Sequence, residues 1–265
     1  MIDNIQAKKS LGQIFLKNPR YLHKIVTAAH VTPDDNVLEI GPGLGHLTQV
    51  LAKKAKKVLA IELDERLIPG LHKQFSKYQN VEIIKADALQ FAYESLGGRW
   101  KVVANLPYYI STSIIQKLIS YRVQFISLTL MLQKEVAERI SATPGGKKYG
   151  YLSVLVQLHT KPKIEFNVPA EAFTPKPEVD SAVITLTIRN QPAVPIRDEA
   201  FFIQVVKVSF SQRRKTLRNS LKQLDISMET LDAVMNETAI DLGRRAETLT
   251  VEEYGRLADF LGGLE

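Results

Sequence analysis

Asn36-Val37-Leu38-Glu39-Ile40-Gly41-Pro42-Gly43-Leu44-Gly45 decides the fold: an apolar run, three alternate glycines, then an apolar-periodic stretch through Leu47, Val50 and Leu51. That order predicts strand, tight turn and helix, the opening of a Rossmann-like unit. Further strands are expected at 57–62, 81–85, 100–104 and 123–132, with helices between them and another over 133–142. Asn18-Pro19 reads as a cap and first position of a helix running to about His30. Tyr149 to Thr160 reads as a buried helix, and Trp100 as the start of a buried strand. Val179 to Ile188 alternates with period two, so a late strand is expected there, antiparallel to a neighbour near 162–168. Asn190 to Pro195 is the best linker, and the amphipathic segments at 198–210, 213–223, 227–236 and 250–261 predict a helical domain. The expected organisation is therefore α/β: a Rossmann-like sheet with helices on both faces over 1–190, and a small α-helical domain over 191–265.

Each early strand leads to a carboxylate: Glu39 in the first, Glu62 twenty-one residues after Gly41, and Asp87 after the third. In α/β sheets, ligands bind at the carboxyl ends of the strands. The glycines run G-x-G-x-G, and no Lys or Arg occurs from Asn36 to Ala52, so nothing there handles a pyrophosphate. An acidic pocket without phosphate-binding groups suits a cationic nucleoside, S-adenosylmethionine, with Glu62 on the ribose diol and glycines letting the backbone approach closely.

A second motif, Asn105-Leu106-Pro107-Tyr108, directly follows the apolar run Val102-Val103-Ala104. Pro107 holds Leu106 extended and donates no hydrogen bond. The Asn105 oxygen and the Leu106 carbonyl are two acceptors beside an aromatic face, a fit for an adenine or cytosine amino group held out of its stack. A plain turn closing a strand would use the same residue types.

With these pieces the chain resembles the ribosomal RNA adenine dimethyltransferases, in particular the kasugamycin-resistance dimethyladenosine transferases of the bacterial small subunit. The matching segments are 11–16, 39–43, 61–64, 105–112, 131–136, 173–181 and 212–220, in the family's order along nearly the whole chain. The resemblance implies an S-adenosylmethionine-dependent methyltransferase acting on two adjacent adenosines in a hairpin loop near the 3′ end of 16S small-subunit rRNA, two methyls to each. It also implies a role in small-subunit biogenesis. Carried over by position, the cofactor contacts are Ile14, Leu16, Gly41, Glu62, Asp87 and Asn105, with Gly43 and Ala88 beside them. Asn105, Leu106, Pro107 and Tyr108 hold the target base, with Phe173 opposite Tyr108; the alternative for Phe173 is a hydrophobic plug under its proline-rich loop. Two positions depart from the family, which usually has Asn or His where this chain has Ile14, and a polar residue where it has Tyr109.

Composition narrows the alternatives. The 265 residues, 45% of them hydrophobic, suffice for one α/β domain and a small appendage. The longest strongly apolar stretch, Phe125 to Leu132, is too short to span a bilayer. Met1 to Ser10 carries no signal-peptide pattern, so a cytoplasmic protein is expected, with no membrane partner and acting as a monomer. The absence of cysteine excludes disulfides, Cys-ligated metal and pyrimidine methylation through a thiolate, whereas attack by an exocyclic amine needs no such nucleophile. The five histidines show neither ligand nor triad spacing, and no metal is implied.

A net charge of +7 points to a polyanionic partner. Six basic residues and no acid lie between Lys207 and Lys222; of these Arg213, Arg214, Lys215 and Arg218 are the expected RNA contacts. Lys8, Lys9, Lys17 and Arg20 form a second cluster, and Lys53, Lys54, Lys56 and Lys57 end a helix, where cations are favourable anyway. The related large-subunit adenine methyltransferases, a DNA adenine methyltransferase and a ribosome-assembly factor are the other readings; the basic 212–220 segment favours the small-subunit enzyme.

Overall fold

A computed structural model describes residues 6–8, 11–212 and 214–263. Its strands are β1 (Phe15–Leu16), β2 (Asn36–Ile40), β3 (Lys57–Glu62), β4 (Val81–Lys85), β5 (Trp100–Asn105), β6 (Phe125–Gln133), β7 (Thr160–Val168), β8 (Phe173–Thr174) and β9 (Ser181–Ile188). Its helices are α1 (Pro19–Ala28), α2 (His46–Ala52), α3 (Ile68–Phe75), α4 (Ser111–Ser120), α5 (Lys134–Ile140), α6 (Tyr151–His159), α7 (Glu199–Ser211), α8 (Leu217–Leu221), α9 (Met228–Thr238) and α10 (Val251–Gly262). Among the described residues no helix is long and apolar enough to cross a membrane.

The chain divides into two compact units, Met1–Ala137 with Lys161–Ile188, and Glu138–Thr160 with Arg189–Glu265. The first holds a seven-stranded sheet in the order β4-β3-β2-β5-β6-β9-β7, and a two-stranded ribbon of β1 and β8. Strands β2 to β6 pair in parallel, and β9 runs antiparallel to β6. Successive residues of opposite parity are buried along the central strands: Val37 and Leu38, Val58 and Leu59, Val102 and Val103, Leu130 and Met131. A sheet buried on both faces must be covered on both, and this is why these strands read as continuous apolar runs. On one face Val37, Val58, Val103, Met131 and Val183 form a single cluster with Leu22, Ile25 and Val26 of α1 and Leu47 and Leu51 of α2. At the antiparallel seam Thr129 lies opposite Thr185, their hydroxyls 3.2 Å apart, so two buried polar groups satisfy each other.

The second unit is helical. Tyr149, Val154 and Leu158 join Phe202, Val205, Leu217, Leu231, Val234, Tyr254 and Leu257 in one core. The sequence reading places one boundary near 190; the contacts assign 138–160 to the helical unit as well. Helix α6 is apolar nearly all round, and the Pro- and Gly-rich loop Thr143-Pro144-Gly145-Gly146 before it lies inside the second unit, so it does not mark the boundary at Glu138. Capping is explicit here: Asp198 accepts from the Ala200 and Phe201 N–H groups at 2.8 and 3.0 Å, and Thr250 with Glu253 forms a capping box on α10. The helix expected over 213–223 begins only at Leu217. Clustered cations oppose the positive end of a helix dipole, which disfavours a helix start at 214–215.

Gly45 takes φ +79° at the start of α2, and an added Cβ would lie 2.8 Å from the Phe75 ring. Gly45→Ala should lower the melting temperature by about 2–8 °C, from about 1–2 kcal/mol of left-handed strain at about 2–4 °C per kcal/mol. Gly97→Ala, with nothing within 4 Å of the new Cβ, is the control and should melt with the parent. Equal melting of Gly45→Ala and parent would show that the turn relaxes freely.

Candidate active site

The strand order reverses between β2 and β5: β3 and β4 follow on one side of β2, β5 and β6 on the other. Connections leaving in opposite directions open a crevice at the carboxyl ends of that pair. The Gly-rich turn, the ends of β3 and β5 and residues 11–16 enclose a cleft there, with about 1010 Å³ of empty space, open solvent at its mouth included. Gly41 takes φ +69°, and an added Cβ would meet nothing within 4 Å, so the turn presents bare backbone to open space.

Four carboxyl groups gather at this edge in unlike environments. Glu62 is fixed by backbone donors, the Gly43 N–H at 3.1 Å and the Asp64 N–H at 2.8 Å; burial raises its pKa, against those hydrogen bonds. Glu39 is buried with its Oε2 unpartnered, and burial pushes it up to about 8, with the nearby Glu62 charge adding to the shift. Asp64 is the opposite case, lowered to about 2 by Arg66, whose Nε and Nη2 donate at 2.9 and 2.6 Å. Asp87 Oδ1 accepts from the Leu89 N–H at 2.8 Å, and the neighbouring Ala88 carbonyl accepts from the Tyr93 hydroxyl at 2.8 Å. Among the described residues no Lys or Arg lines the cleft.

Asn105 ends β5. Its Nδ2 donates to the Ile14 carbonyl at 3.2 Å, while its Oδ1 is buried and has no partner. A buried unpaired acceptor costs about 1–3 kcal/mol, which a donor entering the cleft would recover. Leu106 is buried, and its N–H donates to the Met131 carbonyl at 3.2 Å, holding the motif against β6. The family described as ribosomal RNA adenine dimethylase matches residues 4–262. The chain belongs to that family. A ribosomal RNA small subunit methyltransferase A from a Geobacillus strain is 48% identical over 265 aligned positions, covering 96% of this chain and 91% of the relative. One from Clostridium botulinum is 46% identical, covering 95% and 92%. Among solved structures, a Plasmodium falciparum dimethyladenosine transferase superposes with a TM-score of 0.76 at 31% identity, covering 92% of this chain and 95% of that one. The 23S rRNA methyltransferase ErmE gives 0.72 at 26%, covering 94% and 99%.

Ile14, Leu16, Gly41, Gly43, Glu62, Asp87, Ala88, Asn105, Leu106 and Pro107 all line the one cleft. Tyr108 and Phe173 do not. The half-buried Tyr108 shares a 2.6 Å hydrogen bond with Ser181 at the start of β9. Phe173, expected opposite Tyr108, is only 4% exposed. The β1–β8 ribbon pairs it with Leu16, and it packs with Met131, Val168 and Val183, a placement driven by the apolar area of the ring. Of the expected RNA contacts, Arg213 lies outside the described residues, and Arg214 and Lys215 are exposed in the turn before α8. Arg218 differs: its guanidinium is ion-paired with Asp232 of α9. Gln13, His46 and Tyr109 also line the cleft without having been singled out as site residues. The Gln13 contact with Asp64 spans 51 residues and leaves no local signal.

Glu39 gives this family member a testable pH dependence. Its folded pKa of about 8 lies above the ordinary 4.5, so the folded state holds the proton more tightly than the unfolded chain. The associated stability is complete below the unfolded value and is lost as pH rises towards the folded one. Melting temperature should therefore fall from about pH 4.5 to about pH 8 and then level off, and the permanently neutral Glu39→Gln should fall less. Parallel curves for the two proteins would show that Glu39 is ionised throughout.

Proposed function

We propose that the chain transfers methyl groups from S-adenosylmethionine to the exocyclic amines of two adjacent adenosines in a hairpin loop near the 3′ end of 16S rRNA, two methyls to each, during small-subunit biogenesis. The observation that carries this reading is the buried, unpartnered Asn105 Oδ1 on the wall of an acidic cleft. The cleft suits the donor: Gly41 offers open backbone, Glu62 a fixed carboxylate, and its lining has no cation to oppose a sulfonium among the described residues. In this reading the enzyme works as a monomer in the cytoplasm.

S-adenosylmethionine, when bound, would supply an electrophilic methyl group, its sulfur–methyl bond breaking as the new nitrogen–carbon bond forms, with S-adenosylhomocysteine as the leaving group. In the first transfer Asn105 Oδ1 and the Leu106 carbonyl accept the two N–H groups of the adenine amine, whose lone pair is otherwise delocalised into the ring; in the second, the one N–H that remains is held by one of them. Held this way, the nitrogen becomes tetrahedral with its lone pair towards the methyl, and both acceptors offset the positive charge that develops on it. Positioning in the cleft lowers the barrier further. Neither acceptor takes the proton, because an alkylated amine releases it to water. Tyr108 stacks on the base, its hydroxyl anchored by Ser181. Phe173, packed against Leu16, braces the ribbon that carries the cofactor contacts.

Labelled S-adenosylmethionine offered to unmodified small subunits, large subunits and duplex DNA should yield dimethyladenosine in the small subunit alone. Asn105→Ala should cut turnover by about 10²–10³-fold with little change in melting temperature. Labelling of large subunits or DNA instead would overturn the substrate assignment.

Arg214 and Lys215 are proposed to contact phosphates together with Arg213, whereas Arg218 spends its charge on Asp232. Replacing Arg214 and Lys215 with Gln should flatten the slope of log affinity against log salt by about 1.4–1.8, at about 0.7–0.9 per lost contact. Arg218→Gln should leave that slope near the parent's. An unchanged slope in the double variant would move the RNA surface elsewhere, with Lys17 and Arg20 the next candidates.

A further inference from the structure

An Asn side chain has a donor end and an acceptor end, and only its surroundings decide which faces the substrate. In Asn105 the choice is made by one contact, Nδ2 to the Ile14 carbonyl at 3.2 Å. Flipping the amide would set two acceptors at that distance and turn the NH₂ group towards the incoming amine, donor against donor. Whatever holds the Ile14 carbonyl in place therefore sets the polarity of the catalytic group. The Ile14 side chain has no polar atom with which to do it.

The neighbouring residue does. Gln13 uses both ends of its amide: Nε2 donates to Asp64 Oδ2 at 2.8 Å, and Oε1 accepts from the Lys8 N–H at 2.8 Å. Asp64 is a firm anchor, 4% exposed and held ionised by Arg66. It is also tied to the cofactor wall, since its N–H donates to Glu62 Oε1 at 2.8 Å. On the other side Gly12 takes φ +57°, and its Cβ position lies 2.8 Å from the Tyr109 ring, so the ring sits directly on the bend. Residues 12–14 are thus held between Asp64, beyond the end of β3, and Tyr109, just after the Asn-Leu-Pro-Tyr motif.

We propose that Gln13 is a positioning residue, acting through the Ile14 carbonyl to keep the Asn105 oxygen turned towards the adenine amine. This rests on the methyl-transfer reading above. It predicts a particular split in the kinetics. Residues 11–16 line the cleft, so releasing them weakens cofactor binding whatever residue occupies position 105. The effect on the chemical step, by contrast, exists only while Asn105 is there to be oriented.

The test measures kcat and the KM for S-adenosylmethionine on unmodified small subunits for the parent, Gln13→Ala, Asn105→Ala and the double variant. Gln13→Ala should lower kcat by about 10–100-fold at saturating substrates, the scale of a misplaced catalytic group. In the Asn105→Ala background the same change should leave kcat within about twofold, while raising KM by the same factor as in the parent. Gln13→Glu, which sets a carboxylate against the ionised Asp64, should lose at least as much kcat as Gln13→Ala. Thermal melts of all variants separate these effects from unfolding. An active parent with Gln13→Ala at parental kcat, or with losses that multiply in the double variant, would overturn the positioning role alone. A parent that methylates no rRNA would overturn the function itself.

Discussion

Parallel pairing of β2 with β5, where the direction of winding reverses, is the constraint from which the site follows. Two adjacent parallel strands present their carboxyl ends on the same edge. Their onward connections leave in opposite directions, so neither covers that edge. The edge stays open, and everything with chemical character in the first unit collects there: the bare turn at Gly41, Glu62 ending β3 and Asn105 ending β5. The antiparallel strand β9 adds Ser181, which anchors Tyr108 at the same edge. The sheet itself is mostly apolar on both faces, and a polar group placed there needs a partner, as Thr129 has in Thr185, to avoid a burial penalty.

A count of acids overstates the charge of the cleft. Asp64 is matched by Arg66, and Glu39 is driven towards its neutral form by burial. Glu62 is raised as well, although backbone N–H groups hold its carboxylate. Burial thus pushes two of the four carboxyl groups towards their neutral forms, which lessens the cost of burying several anions side by side. A cationic ligand changes that balance, because a nearby positive charge favours the ionised forms of Glu39 and Glu62.

Most of the architecture was legible in the sequence because apolar periodicity and glycine spacing follow directly from pleat, helix and turn geometry. The strands from 36 to 104 and the late strand expected over 179–188 were readable for that reason, as was the gathering of Gly41, Glu62 and Asp87 on one cleft. Helix α6 was expected as a helix, but its membership of the second unit was not, since packing partners more than 40 residues away, such as Phe202 and Val205, leave no local mark. Arg218 looked like one more free cation in a basic run; its ion pair with Asp232 depends on α8 and α9 meeting. Phe173 carried an ambiguity that composition could not resolve, because an aromatic ring beside prolines serves equally as a base platform and as a core plug.

The least legible part of the site is the part made of backbone. The Ile14 carbonyl, the Gly43 N–H, the Asp64 N–H and the Leu106 carbonyl are groups that every residue other than proline also carries. Their placement constrains conformation and leaves side-chain chemistry free. Isoleucine serves at position 14 because the contact to Asn105 comes from the main chain, and the side chain packs against the apolar cluster that includes Leu22, Ile25 and Val26 of α1. The same logic makes side chains that hold backbone in place, such as Gln13, more restrictive than the position they serve. Any residue at 14 offers the same carbonyl, whereas the hold on Asp64 needs an amide donor of glutamine's length at 13. Reading such a site from sequence therefore requires asking which side chains fix the main chain, as well as which could touch the substrate.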